Sequence, residues 1–225
     1  MLKIPHCGKP KNVRRNFTET THKNNIYLDK TIPFEIHITT SDLTKSRQSD
    51  FINFCTKIDA KPLIIELSKG KFIKQPMFSK VVLSNNIDNV LFVSTQLSKS
   101  LILQNFNIER LKIEIPAENY NLFENYKSTF LKYFEWHGKI DYTQTDNLND
   151  LCRKHKVHLS LNSLKNESNN RFITLREFGT KLEFENRVNE LTKDLKKGNW
   201  TIFKQEAEYC IYDNNSFLDT GWLPQ

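Results

Sequence analysis

Two short stretches carry the side chains best suited to chemistry. Phe34-Glu35-Ile36-His37-Ile38-Thr39 alternates a carboxylate, an imidazole and a hydroxyl with apolar residues. One hundred positions later, Phe134-Glu135-Trp136-His137-Gly138-Lys139-Ile140 repeats the pattern with a lysine in place of the hydroxyl. A strand has period 2, so Glu35, His37 and Thr39 share one face, and Glu135, His137 and Lys139 share another. Val157-His158-Leu159-Ser160 again places an imidazole two residues from a hydroxyl. An imidazole exchanges a proton near neutral pH, so a pair of them suits general acid–base work. One would take the proton of a ribose 2'-hydroxyl while the other protonates the leaving oxygen. Lys112, Lys139 and Arg176 are the cations suited to hold phosphoryl oxygens. The candidate catalytic residues are therefore His37, Thr39, His158 and Ser160, with His137 as the rival of either other histidine. This chemistry calls for no metal or other cofactor.

The elements that must position these residues repeat in order. The spacing predicts a strand over Phe34–Thr40, a helix over Thr44–Ile58, strands over Pro62–Leu67 and Met77–Leu83, a helix over Asn86–Leu103 and a strand over Arg110–Ile115. After an aromatic segment expected to be helical, the same order returns. It runs through Tyr133–Ile140, Asn147–His155, Val157–Leu161, Arg171–Glu177, Leu182–Leu195 and Thr201–Tyr212. Each half reads β-α-β-β-α-β, the ferredoxin-like order. Phe54-Cys55 then matches Leu151-Cys152, and Arg110-to-Glu114 matches Ala207-to-Ile211. The expected fold is α+β, with duplicated ferredoxin-like lobes whose antiparallel sheets face a shared polar groove. The expected divisions are an arm over 1–30, lobes over 31–118 and 133–213, a linking helix over 119–132 and a tail over 214–225 packed on the body.

The triplets His37-Ile38-Thr39 and His158-Leu159-Ser160, with a bilobal plan, resemble the 2H phosphoesterase superfamily, the relatives of 2'-5' RNA ligases and cyclic phosphodiesterases. That resemblance implies a metal-independent phosphodiesterase acting on a 2'-linked or cyclic phosphate of a nucleotide or RNA. Two other readings use the same faces. His37, His137 and His158 with Glu35 or Glu135 make a metal-binding set. Alternatively, Arg110, Lys112, Lys139 and Arg176 grip a polyphosphate while Glu114, Glu206 or Glu208 holds Mg²⁺. That last arrangement resembles the CYTH triphosphate-tunnel group, though without its ExExK run. A non-catalytic nucleic-acid or protein binding module built from tandem ferredoxin-like lobes is the alternative to an enzyme.

Composition narrows the class. A chain of 225 residues with 38% hydrophobic and 12% aromatic content can bury a core. The formal charge of +7 favours anionic partners, here a phosphate-bearing nucleotide or RNA. Cys7, Cys55, Cys152 and Cys210 form no CxxC pair and the start carries no apolar leader, so a cytoplasmic location is expected. No apolar run is long enough to span a membrane. Phe217, Leu218 and Trp222 in the tail need apolar cover, on the body or on a protein partner.

Overall fold

The computed structural model describes residues 27–126, 129–142, 147–165 and 169–222. Most of the expected arm over 1–30 lies outside the described residues. The first half comprises β1 (Tyr27–Thr40), α1 (Lys45–Lys57), β2 (Lys61–Leu67), β3 (Lys74–Asn86), α2 (Ile87–Leu103) and β4 (Ile108–Pro116). The second comprises β5 (Tyr133–Asp141), α3 (Leu148–His155), β6 (His158–Asn162), β7 (Asn170–Glu177), α4 (Lys181–Lys197) and β8 (Ile202–Asp213). The chain is thus α+β, with two similar βαββαβ-like halves sharing one sheet.

That sheet closes on itself. Each half orders its strands 4-1-3-2, as β4-β1-β3-β2 and β8-β5-β7-β6, and every neighbouring pair is antiparallel. β2 then pairs with β6 and β4 with β8, joining both edges into an eight-stranded barrel. The expected open groove between two facing sheets is therefore an enclosed barrel interior. Edge strands carry unpaired backbone groups, and closure satisfies them.

Strand parity decides which face points where. Phe34, Ile36 and Ile38 point outward into one hydrophobic cluster beneath the helices, together with Ile113, Trp136, Ile173 and Leu175. The helices seal that layer through Phe51, Phe54, Val90, Leu101, Phe184 and Leu191, and Phe134 stacks on Phe184 with ring centres 5.0 Å apart. Their caps follow the sequence. Asn86 accepts from the Asp88 amide at 2.7 Å, and Thr180 with Glu183 forms a capping box at the start of α4.

The register relates the halves by a pseudo-dyad perpendicular to the barrel axis. Glu35 faces Glu114 and His37 faces Lys112 in the first half; Glu135 faces Glu208 and His137 faces Glu206 in the second. Glu114 is thus equivalent to Glu208 and Lys112 to Glu206, three residues out of step with the match drawn from local sequence. The linking segment also differs from the expected helix. It forms a 3-10 turn, Ala117–Leu122, because Tyr120 and Phe123 are drawn apart onto Phe134 and Phe34.

Candidate functional site

With the apolar face turned out to the helices, the alternate residues line the barrel. Four glutamates fall on four consecutive strands: Glu35 on β1, Glu114 on β4, Glu208 on β8 and Glu135 on β5. Glu114 and Glu135 have side chains only 1% exposed. The Glu35 carboxylate accepts from Ser79 Oγ. Lys112 lies between Glu114 and Glu135, 2.8 Å from an oxygen of each.

His37 on β1 and His137 on β5 flank this girdle. His37 Nε2 lies 3.0 Å from Glu114 and 3.5 Å from Glu35, and His37 Nδ1 is buried without a hydrogen-bond partner. His137 Nε2 lies 3.4 Å from Glu135 and 3.6 Å from Glu208, while its Nδ1 shares a 3.0 Å hydrogen bond with Thr174 Oγ1. Glu114, His137 and Glu208 each offer one ligand atom, and all three atoms lie within 4.8 Å of one another. Both Glu114 oxygens are buried without a partner in hydrogen-bond geometry, although Lys112 and His37 stand at ion-pair distance. A fully buried carboxylate normally fills its lone pairs. Here one oxygen faces Lys112 Nζ at 2.8 Å and the other His37 Nε2 at 3.0 Å, so basic groups of the wall stand against both. Oxygen with one imidazole nitrogen suits Mg²⁺ or Mn²⁺.

Electrostatics agree with that placement. Burial raises the Glu208 carboxyl, and the neighbouring Glu114 and Glu35 push it further, well above the usual carboxylate range. Burial acts the same way on Glu135, but Lys112 and Arg176 outweigh it and hold that carboxyl well below its ordinary value. Towards the end of the barrel where β5 begins, charges are matched. Arg110 donates from Nε to Asp213 at 2.9 Å and from Nη2 at 2.6 Å, and Arg176 pairs with Glu135 at 2.7 Å. Asp219 receives both guanidinium groups, from Arg110 at 3.1 Å and from Arg176 at 2.6 Å. Tyr133 donates to Asp213 at 2.6 Å. At the other end, among the described residues, Lys204 and Glu206 side chains are 62% and 53% exposed, so the interior meets solvent there.

The structure thus brings His37, His137, Lys112 and Arg176 into one interior. Thr39 also faces inward, across from Arg110 at the matched end, and Ser160 is buried beside Leu67. Lys139 is half-buried near the open end, between Phe172 and Lys204 in register. His158 has different surroundings. Its ring lies 6.5 Å from that of Trp222, and it borders an open depression of about 500 Å³ with Lys69, Arg153 and Lys156. Among the described residues, no hydrogen bond or ion pair links it to His37, His137 or the glutamates. Burial and Lys69 lower it to about 4, so it is neutral at neutral pH and is not an acid there.

Several functional neighbours lack a local sequence signal. Ser79 and Thr174 are found only through register, opposite His37 and His137. Asp213 breaks the even-number parity of Glu206, Glu208 and Cys210, because an irregularity at Ile113/Glu114 sets it opposite Lys112. His155, which reads as a surface residue, is tucked against Asp194 at 3.0 Å.

No known family model matches the chain, and no curated protein matches it.

Proposed function

We propose that the protein is a divalent-cation-dependent phosphohydrolase acting on an unbranched polyphosphate chain, free or carried by a nucleotide. The observation that carries this reading is the cluster of Glu114, His137 and Glu208, whose ligand atoms lie within 4.8 Å of one another in the barrel interior. The equivalent registers of the two halves support reading them as a duplicated ferredoxin-like unit.

Shape and charge select the substrate. An eight-stranded barrel is just wide enough for its own side chains or one slender ligand. Among phosphate-bearing ligands an unbranched phosphate chain is the slenderest, and a nucleobase would stay outside. The lining holds six buried or half-buried carboxylates, Glu35, Glu114, Glu135, Glu208, Asp213 and Asp219, against four permanent cations, Arg110, Lys112, Lys139 and Arg176. An anion therefore enters favourably only together with cations. Glu114, His137 and Glu208 would hold the divalent ion, which would supply charge stabilisation at the phosphoryl oxygens. Lys112 adds fixed positive charge on the same wall, and Lys139 and Lys204 draw the chain in from the open end. Water attacks phosphorus, the P–O–P bridge breaks with its electron pair leaving on the departing phosphate, and the proton released by water passes to the Glu35 carboxylate.

The test is phosphate release from tripolyphosphate and a nucleoside triphosphate with Mg²⁺, Mn²⁺ or EDTA, for the wild type and Glu114→Gln. Turnover should require the ion and be lost in the variant. The metal-free alternative, proton transfer through His37 and His158, predicts cleavage of a 2',3'-cyclic nucleotide that survives EDTA. Affinity for RNA without turnover of any phosphate substrate would leave the binding-module reading in place.

A further inference from the structure

Two histidines at equivalent places in the halves differ at the second ring nitrogen. His37 on β1 lies opposite Ser79 on β3, and His137 on β5 lies opposite Thr174 on β7, so each imidazole has a hydroxyl residue across its strand pair. In the first half that hydroxyl is engaged elsewhere. Ser79 Oγ donates to Glu35, and His37 Nδ1 is buried without a hydrogen-bond partner among the described residues. In the second half Thr174, 2% exposed, turns its Oγ1 to His137 Nδ1 at 3.0 Å. His158 lies opposite Thr174 on β6, yet among the described residues the hydroxyl bonds to His137 alone.

A neutral imidazole carries one proton, so Nε2 offers a lone pair to a metal ion only when that proton sits on Nδ1. Both Nε2 atoms stand between carboxylates: His37 near Glu114 and Glu35 at 3.0 and 3.5 Å, His137 near Glu135 and Glu208 at 3.4 and 3.6 Å. Those carboxylates favour a proton on each Nε2 when no ion is bound. For Nε2 to ligate, the proton must instead be held on Nδ1, and there the two histidines part. On His37 the Nδ1–H would be a buried donor without an acceptor, which is costly. On His137 it donates to Thr174 Oγ1. A hydroxyl both donates and accepts, so the threonine serves either tautomer by turning its own hydrogen.

We propose that Thr174 is the positioning residue that makes His137, and not its equivalent His37, the imidazole of the cation site. It accepts the Nδ1 proton and so leaves the Nε2 lone pair of His137 free beside Glu114 and Glu208. This rests on the divalent-cation reading above. Thr174 acts through His137 and touches neither ion nor substrate, the part played by hydrogen-bond partners of metal-ligating histidines in general.

The experiment uses the full chain with isotope-labelled histidine. Heteronuclear NMR reads the protonation of each ring nitrogen with and without Mg²⁺, and titration calorimetry gives the affinity for Mn²⁺. In the Mg²⁺-bound wild type, His137 should carry its proton on Nδ1 and none on Nε2, while His37 keeps a proton on Nε2 throughout. Thr174→Val keeps the branched shape and removes the hydroxyl, so Mn²⁺ affinity should fall ~10–100-fold. Thr174→Ser restores the hydroxyl and should bind like the wild type. A Mg²⁺-bound wild type with the proton still on His137 Nε2, or with His37 as the ring that changes, overturns the proposal without any variant. A folded Thr174→Val protein with unchanged affinity does so as well. So does a Thr174→Ser protein that binds as weakly as Thr174→Val, since packing rather than the hydroxyl would then be at work. If the wild type binds no divalent ion, the cation reading falls and takes this inference with it, a result distinct from saturable binding that ignores Thr174.

Discussion

Because the pseudo-dyad lies across the barrel axis, each residue at the charge-matched end has an equivalent at the open one. Arg110, buried against Asp213 and Asp219, corresponds to Lys204, which is largely exposed. Arg176, 1% exposed, corresponds to Val81, 56% exposed. The segments that follow β4 and β8 diverge in the same sense. Ala117–Leu122 packs outside on Phe134, while Ser216–Asp219 enters the barrel and gives Asp219 to two arginines. One architecture thus yields a charge-matched floor at one end and an open mouth at the other. Between them the equivalent glutamates keep their places while Lys112 and Glu206 have opposite charge. The two ends therefore differ through the residues at equivalent positions, while the shared positions build the barrel.

The sharpest way to break this contrast is to remove a cation from the floor. Arg176→Met leaves Glu135 and Asp219 buried without their shared guanidinium, and should lower unfolding stability in urea by about 3–5 kcal/mol. The equivalent change at the mouth, Val81→Thr, should stay within about 0.5 kcal/mol. Equal effects at both ends would show that the buried charge pairs of the floor contribute no more to stability than the exposed positions of the mouth.

The central girdle comes next. Titration calorimetry with Mn²⁺ should show that Glu114→Gln loses affinity at least as severely as loss of an outer-sphere partner, ~10–100-fold. Glu206→Gln, nearer the mouth, should change affinity little. Similar losses from both would place the ion towards the open end.

A smaller effect separates His158 from its equivalent, Lys61. The folded protein holds His158 at about 4, below its ordinary value, through burial and Lys69. A depressed folded value means that its contribution to stability is complete above about pH 6.5 and is lost as pH falls towards 4. His158→Gln should flatten that part of the stability–pH curve. An unaltered curve would mean that His158 titrates alike in folded and unfolded chains. The smallest effects belong to the caps of the equivalent helices α2 and α4. Asn86→Ala and Thr180→Ala should each cost about 0.5–2 kcal/mol in thermal or urea unfolding and leave Mn²⁺ affinity unchanged.

Much of the interior was legible from alternation alone. Glu35 and His37 against Phe34 and Ile36, and Glu135 and His137 against Phe134 and Trp136, already separate a polar face from an apolar one. Parity is a local property, so it survives folding wherever a strand stays regular. It fails at Asp213, where a register irregularity turns an odd-numbered residue towards Lys112. It also gave no reason to separate His158 from His37: both head a histidine–apolar–hydroxyl triplet, yet one borders Trp222 and the other two glutamates. Asp219 gave no signal at all, because its partners lie on β4 and β7, far away in the chain.

By itself the sequence determined the two βαββαβ halves and which side chains share a strand face, since both follow from period and spacing along the backbone. Only the tertiary structure decided that the halves close into a barrel. Three paired residues on β2 and β6, together with the β4–β8 ladder, settle that closure. The same long-range pairing set Glu114 opposite Glu35 and brought Glu208 beside Glu135, and the tail's return placed Asp219 beneath the arginines. Such contacts depend on hydrogen bonding and charge compensation between segments a hundred residues apart, which no local pattern encodes.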